Sequence, residues 1–473
     1  MLQRRIVRPA FLLVICFCLT EALRAGETAL DRYVAKPDPT YSWKVVHETA
    51  GNPRTQYTID LKSQTWRTNH DVDRTVWQHW LTVIKPDKPV SNAAFLFLAN
   101  GTNKDKPPTS VDPLVRRIAE ATNSVVAELK MVPNQPLIFH NDGVSRKEDD
   151  LIGYTWDQYL KTGDETWPAR LPMTKSAVRA MDCIQAFLAS ARGGRVKIDR
   201  FVVAGDSKRG WTTWCTAAVD KRVAAAVPTV IDVVNVPASM QHHVAAYGFY
   251  ARSLDDYMKH NILQRSHAPK LKDLYAIEDP YSYLDRVTMP KFIINASGDE
   301  LFCPDSSQFY YNDLKGEKYL RYVPNADHSL ENTDAIESTL AFYWTVLTGK
   351  SRPRYSWTFE ADGSIRVQTP DKPKQVVLWQ AHNPSARDFR VESIGTAYKS
   401  SVLHDQGNSV YIGKVDQPAK GWTAFFVELT FDIGAPTPLK LTSAVRVLPD
   451  RLPFADIDPA KAPYEGLKPR AGK

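Results

Sequence analysis

Short apolar runs separated by amphipathic stretches dominate the first three quarters of the chain. Residues 55–66 and 75–84 mix β-branched and aromatic side chains in partial period-two alternation, which predicts strands with one face covered. Residues 93–98, 124–129, 201–204, 224–228, 292–296 and 319–323 are short apolar runs, which predict strands covered on both faces. Helical periodicity lies between them, over 112–121, 174–191, 211–219 and 333–347. In the second of these, Val178, Met181, Ile184, Phe187 and Leu188 share one face. Buried strands alternating with helices predict an α/β architecture: a mainly parallel sheet with helices on both faces. Residues 239–284 are helical in pattern, rich in aromatics and free of a clear strand, so they are expected to form a helical cap over the end of the sheet. Residues 26–52, interrupted by Pro37 and Pro39, are expected to be irregular, and 151–167 to be aromatic and loop-rich.

The texture changes after Lys350-Ser351-Arg352-Pro353-Arg354. Short alternating runs at 356–360, 364–368, 375–379, 410–414, 424–431 and 439–447 are separated by turn residues. Their spacing is that of a small all-β, sandwich-like domain over 355–450, following a hydrolase-sized domain over 26–350. The tail from 451 onward is rich in Pro and Ala and is expected to be loosely held.

The first 25 residues stand apart. Arg4, Arg5 and Arg8 form a basic start, an apolar run follows to Leu19, and Ala22-Leu23-Arg24-Ala25 offers small residues before Gly26. This predicts a signal peptide cut after Ala25, and hence a secreted or periplasmic protein with no integral membrane segment after its removal. The whole chain has 60 Lys and Arg against 53 Asp and Glu, a formal charge of +7. The N-terminal segment carries four Arg and one Glu, so the mature chain is only mildly basic. No basic stripe interleaved with aromatics is present, which argues against nucleic acid as a partner. Cys16 and Cys18 leave with the signal. Cys183, Cys215 and Cys303 remain, too few for a disulfide scaffold.

The apolar run 201–204 leads into Gly205-Asp206-Ser207-Lys208-Arg209-Gly210, and a helical pattern follows. Strand, Gly-flanked turn and helix is the context of a nucleophile elbow, which holds a serine hydroxyl exposed above a sheet. The second glycine comes one residue late, at 210, and Arg209 stands in its usual place. A helix N-cap serine is the plain alternative for Ser207. A base is expected later in the chain, after the last strand. His328, in Pro324-Asn325-Ala326-Asp327-His328-Ser329, alone among 11 histidines has this placement. The carboxylate that orients the base should follow the preceding strand. Asp299 is the first choice, with Glu300 and Asp305 as alternatives. The order Ser, Asp, His is that of α/β-hydrolases. The backbone N–H of Lys208 and one from 99–102, at Gly101, are the expected oxyanion donors. Arg209 and His242 are weaker candidates for substrate contacts. His242-His243 does not make a metal motif, because adjacent positions on a helix point to different faces. Neither a phosphate-cradling Gly loop nor a dinucleotide fingerprint occurs, so no cofactor is expected.

Several segments together resemble the PhoPQ-activated pathogenicity-related proteins, a family of exported α/β-hydrolase-like proteins. They are Trp167-Pro168-Ala169-Arg170-Leu171-Pro172-Met173-Thr174-Lys175, Gly205 through Trp214, Asp279-Pro280-Tyr281, Asn295 through Glu300, and Gly421 through Leu429. The resemblance spans roughly 30–450 and implies a hydrolase fold and export more than it implies a substrate. The elbow spacing is also similar to that of glucuronoyl and acetyl-xylan-type carbohydrate esterases. The expected activity is therefore ester hydrolysis by a Ser207-His328-Asp299 triad through an acyl-enzyme. The substrate would be a small-molecule or carbohydrate-linked ester, with a uronate or acetyl ester as the specific variant. A non-catalytic secreted binding or signalling protein on a hydrolase scaffold is the competing class.

Overall fold

The computed structural model describes residues 26–466. The expected signal peptide lies outside the described residues. Nine strands form the main sheet: β1 (Ser42–Thr49), β2 (Arg54–Thr65), β3 (Val76–Pro86), β4 (Ala93–Leu98), β5 (Val125–Leu129), β6 (Arg200–Asp206), β7 (Val223–Thr229), β8 (Lys291–Ala296) and β9 (Lys318–Val323). Their order across the sheet is β1-β2-β3-β5-β4-β6-β7-β8-β9. β3 runs antiparallel to both β2 and β5, and every pairing from β5 to β9 is parallel. This is the α/β-hydrolase fold.

The parallel strands are buried on both faces because helices cover each side, and apolar side chains split between two cores. Leu96 and Val203 point to one core and Phe95 and Val202 to the other. Strand order reverses at β4, and Leu98 is in register with Gly205. The carboxyl ends of β4 and β6 therefore lie side by side at a switch point, where open α/β sheets form their crevice. Between β7 and β8 the chain forms helices Val236–Tyr247, Asp255–Lys259 and Pro269–Glu278 with short 3-10 turns. These helices take up the stretch 239–284 whose pattern is helical in the sequence.

Two N-terminal elements differ from the sequence expectation. Residues 26–52 are not irregular: Ala29–Ala35 is a helix and β1 a strand. Thr28 and Asp31 form a reciprocal capping box that nucleates the helix, a signal readable in the sequence. Residues 151–167 are mostly helix, Glu148–Thr162, with Leu151 through Asp157 all buried. A helix covered nearly all round has no polar stripe, so its period is masked.

After Arg354, a three-stranded antiparallel sheet (Ser356–Phe359, Ile365–Gln368, Val410–Gly413) faces a five-stranded one built around Gln375–Asn383 and Trp422–Phe431. Contact between the two is tight at Gly413, where a Cβ would meet Val427 Cγ2 at 2.7 Å and Leu378 Cδ1 at 3.0 Å. The single run expected over 439–447 is two strands, Leu439–Thr442 and Arg446–Leu448, both paired with Trp422–Phe431. Ser443 interrupts them because its hydroxyl, not a backbone carbonyl, accepts the Val427 N–H at 3.0 Å. Lys399–Val402, an exposed edge strand without apolar alternation, has no clear sequence signal.

The described part of the tail is held. Phe454 N–H donates to Ala245, Glu465 pairs with Arg390 at 2.9 Å, and Tyr250 N–H donates to Pro463. Among the described residues no helix is long and apolar enough to cross a membrane.

Candidate active site

Ser207 joins β6 to helix Lys208–Val219 with φ 56° and ψ −123°, a conformation a non-glycine residue rarely adopts. Its N–H donates to Thr229 O at 2.8 Å, and its carbonyl accepts from Trp211 N at 3.0 Å, so the strain is fixed from both sides. The N-cap alternative fails, since the Ser207 side chain makes no cap hydrogen bond. Both flanking glycines are required by space. A Cβ at Gly205 would lie 2.8 Å from Arg209 O, and one at Gly210 would lie 2.9 Å from both Gly205 O and Thr229 O. The late second glycine is thus the residue on which the helix crosses β6 and β7, which leaves position 209 free to carry a side chain.

That side chain is committed to protein partners. Arg209 is buried, donates from Nε to Val132 O at 2.6 Å, and forks onto Glu148 from Nη1 at 3.0 Å. Lys208 is buried too, with Nζ 2.8 Å from Glu148 and 3.2 Å from Asp149. Burial opposes ionisation of Glu148, but the charges of Lys208 and Arg209 outweigh it and hold the carboxyl well below the usual range. Glu148 and Asp149 escaped the sequence reading. The acidic run Glu148-Asp149-Asp150 was the available signal, but its partners are about sixty positions away.

The loop after β8 carries three carboxylates, and the structure separates their roles. Asp299 Oδ2 lies 2.8 Å from His328 Nδ1, while its Oδ1 accepts Leu301 N–H at 2.8 Å. Glu300 accepts the backbone N–H of His328 at 3.1 Å and so fixes the loop, not the ring. Asp305 lies elsewhere: His242 Nε2 sits 2.8 Å from its Oδ1 and Arg387 Nη2 2.6 Å from its Oδ2. His242 is therefore a buried partner of Asp305. His242, Cys303 and Asp305 bring three metal-ligand types within 4.8 Å, but the Arg387 guanidinium already supplies the positive charge there. Among the described residues, Cys183, Cys215 and Cys303 are free and buried.

Burial presses His328 toward its neutral form, yet the charge and hydrogen bond of Asp299, reinforced by Glu300, hold its pKa above the usual imidazole value. With Nδ1–H donated to Asp299, Nε2 is the nitrogen left to accept a proton. His328 packs on Phe302 with ring centroids 5.9 Å apart. Phe302 and Ser207 line one pocket, together with Trp156, Trp211, Tyr257 and Met240. The cap thus closes over the elbow. Gly101, at φ 137°, is packed between Asp105 and Met131 and is not among the residues that line this pocket.

The loops that carry Asp299 and His328 are both braced by the segment 387–398. Val391 N–H donates to Gly298 O at 2.9 Å, and Asn325 exchanges hydrogen bonds with the Tyr398 backbone at 3.0 and 2.8 Å. A Cβ at Gly298 would lie 2.6 Å from Val391 Cγ2 and 3.1 Å from Ala326 O. Gly298→Val must therefore push the two loops apart. Any hydrolysis that uses Asp299 and His328 together is expected to lose about 10²-fold in kcat, the cost of roughly an ångström of misplacement, with KM little changed. An unchanged kcat in a well-folded Gly298→Val protein would contradict the bracing.

The sequence is 37% identical to Autocrine proliferation repressor protein A of Dictyostelium discoideum over 483 aligned positions, which take in 96% of this chain and 97% of that one. Solved structures it resembles include Acetyl Xylan Esterase 1 from Thermoanaerobacterium sp. JW/SL YS485, at 14% identity and TM-score 0.44, covering 67% of this chain and 92% of that one. Glucuronoyl Esterase from Solibacter usitatus is another, at 13% identity and TM-score 0.39, covering 68% and 90%. The family model for PhoPQ-activated pathogenicity-related protein matches residues 30–390, a span that takes in the elbow, the cap and both loops beside His328. This chain belongs to the PhoPQ-activated pathogenicity-related protein family.

Proposed function

We propose that the protein is a serine hydrolase acting on esters, exported by its N-terminal segment. Ser207 Oγ attacks the ester carbonyl carbon while His328 Nε2 takes its proton. Asp299 holds the ring and stabilises the imidazolium. The oxyanion is met by the N–H of Lys208 and by that of Asn100 or Gly101 in the loop after β4, since the N–H groups of Ala99 and Thr102 are already donated to Leu129 O and Asp105 Oδ2. Collapse expels the alcohol, which takes the proton from His328. Water, deprotonated by His328, then cleaves the acyl-enzyme and releases the acid. The observation that carries this reading is the strained Ser207 backbone, which no capping role explains. Ser207→Ala is expected to abolish hydrolysis of an activated ester, and wild-type turnover retained in that variant would end the proposal.

The base must be neutral to act, so its raised pKa sets a sign. Activity should rise with pH, with the midpoint of kcat/KM above about 6.5, the ordinary imidazole value. Removing the charge of Glu300 in Glu300→Gln should move that midpoint down. A midpoint at or below the ordinary value in the wild-type protein would contradict the assignment of His328.

A second reading is favoured by the 37% identical relative, whose name describes an autocrine repressor of proliferation. The fold would then present a signal. Purified protein and Ser207→Ala, added to growing cells, separate the two: equal repression by both supports signalling without catalysis. Export is tested by sequencing the N-terminus of the released protein, which should begin at Gly26.

A further inference from the structure

The pocket in front of Ser207 offers no cation to a substrate. Two basic side chains line it, Arg170 and Lys208, and both are committed. Arg170 is buried, 3.3 Å from Glu278, with its guanidinium 3.7 Å from the centroid of the Trp211 ring. Lys208 sits between Glu148 and Asp149, and Arg209 behind it is taken by Glu148. Asp149 itself lines the pocket as a carboxylate, held by Lys208 and by the Tyr257 hydroxyl at 3.0 Å. Three cations thus meet three carboxylates, Glu148, Asp149 and Glu278. The rest of the wall is mostly apolar, including Trp156, Ile231, Val233, Val236, Met240 and Phe302, with the neutral Tyr275 hydroxyl beside them.

We infer that this pocket takes an uncharged apolar group of the ester, aliphatic or aromatic, and rejects one that carries a carboxylate. Resting on the serine-hydrolase reading, this names its substrate class. An apolar group gains by leaving water for such a wall. A carboxylate would lose its hydration, find no free cation and face Asp149. Uronate esters therefore fall outside the class.

Two arms test this and keep it separate from catalysis. In the first, wild-type protein is treated with two fluorophosphonates of equal length, one ending in an alkyl chain and one in a carboxylate, and modification of Ser207 is followed by mass spectrometry. The alkyl reagent is expected to react at least tenfold faster, and in Met240→Trp, which fills the pocket, that advantage should shrink. Equal or faster reaction of the carboxylate reagent overturns the inference and leaves the hydrolase reading standing. In the second arm, quenching of tryptophan fluorescence in Ser207→Ala measures binding of methyl octanoate and of monomethyl suberate. The neutral ester should bind at least tenfold more tightly, and equal binding overturns the inference. If neither reagent labels Ser207, the hydrolase reading fails, and the binding arm still decides what the pocket accepts.

Discussion

Asp299→Asn is expected to lower kcat for ester hydrolysis by about 10⁴-fold while the protein stays folded. An amide at 299 can still accept Leu301 N–H and fill the same space. It cannot stabilise the imidazolium, and it can present an N–H to His328 Nδ1, which then turns the wrong tautomer toward Ser207. Asp299 is almost wholly buried, 4% exposed, so water does not replace the lost charge. Kinetics on an activated ester together with a melting curve check the prediction. A variant within tenfold of wild type would remove Asp299 from the triad.

Asp305→Ala should do the opposite, costing stability and not chemistry. Asp305, His242 and Arg387 are 5%, 7% and 4% exposed. Removing the carboxylate strands a guanidinium without its hydrogen-bonded counterion. Breaking a buried pair of this kind destabilises by about 3–5 kcal/mol. The site tethers the loop after β8 to segment 387–398, so urea unfolding should shift to lower midpoint. The fraction that remains folded should keep kcat within about tenfold, because Asp305 does not touch His328. Triad-like loss of kcat in folded Asp305→Ala would reassign the orienting carboxylate.

The contrast between these two aspartates shows where sequence reasoning reached its limit. β4 was readable residue for residue, because Ala93–Leu98 is an unbroken apolar run with a turn signal behind it. Chain order then pointed to Ser207, to the loop after β8 and to His328, since the fold places each after a particular strand. Which of Asp299, Glu300 and Asp305 meets the ring could not be read, because three carboxylates within seven residues share one loop and only tertiary packing turns them apart. Arg209 and His242 looked available for the same reason. Their partners, Glu148 and Asp305, lie 61 and 63 positions away, so nothing local reveals that their charges and donors are spent. Three of the pocket aromatics, Trp156, Tyr257 and Tyr275, were visible as composition in 151–167 and in the cap. Their convergence on the elbow depends on a helix whose period burial had hidden.

The spent cations change what the elbow implies. A basic residue in the place of the second glycine invites the idea of an anionic substrate. In the folded protein that residue ties the elbow to the acidic start of helix Glu148–Thr162, and the adjoining wall is apolar. Arg209→Ala is thus a change to the scaffold under the nucleophile, and any loss it causes should fall on neutral and charged esters alike.

The most direct test of the account is covalent. Intact protein treated with a small fluorophosphonate, digested and analysed by mass spectrometry, should carry one stoichiometric adduct on the peptide containing Ser207. Labelling should vanish in Ser207→Ala and slow sharply in His328→Ala. A folded protein that resists the reagent, or an adduct on another residue that persists in Ser207→Ala, would contradict the assignment of Ser207 as nucleophile.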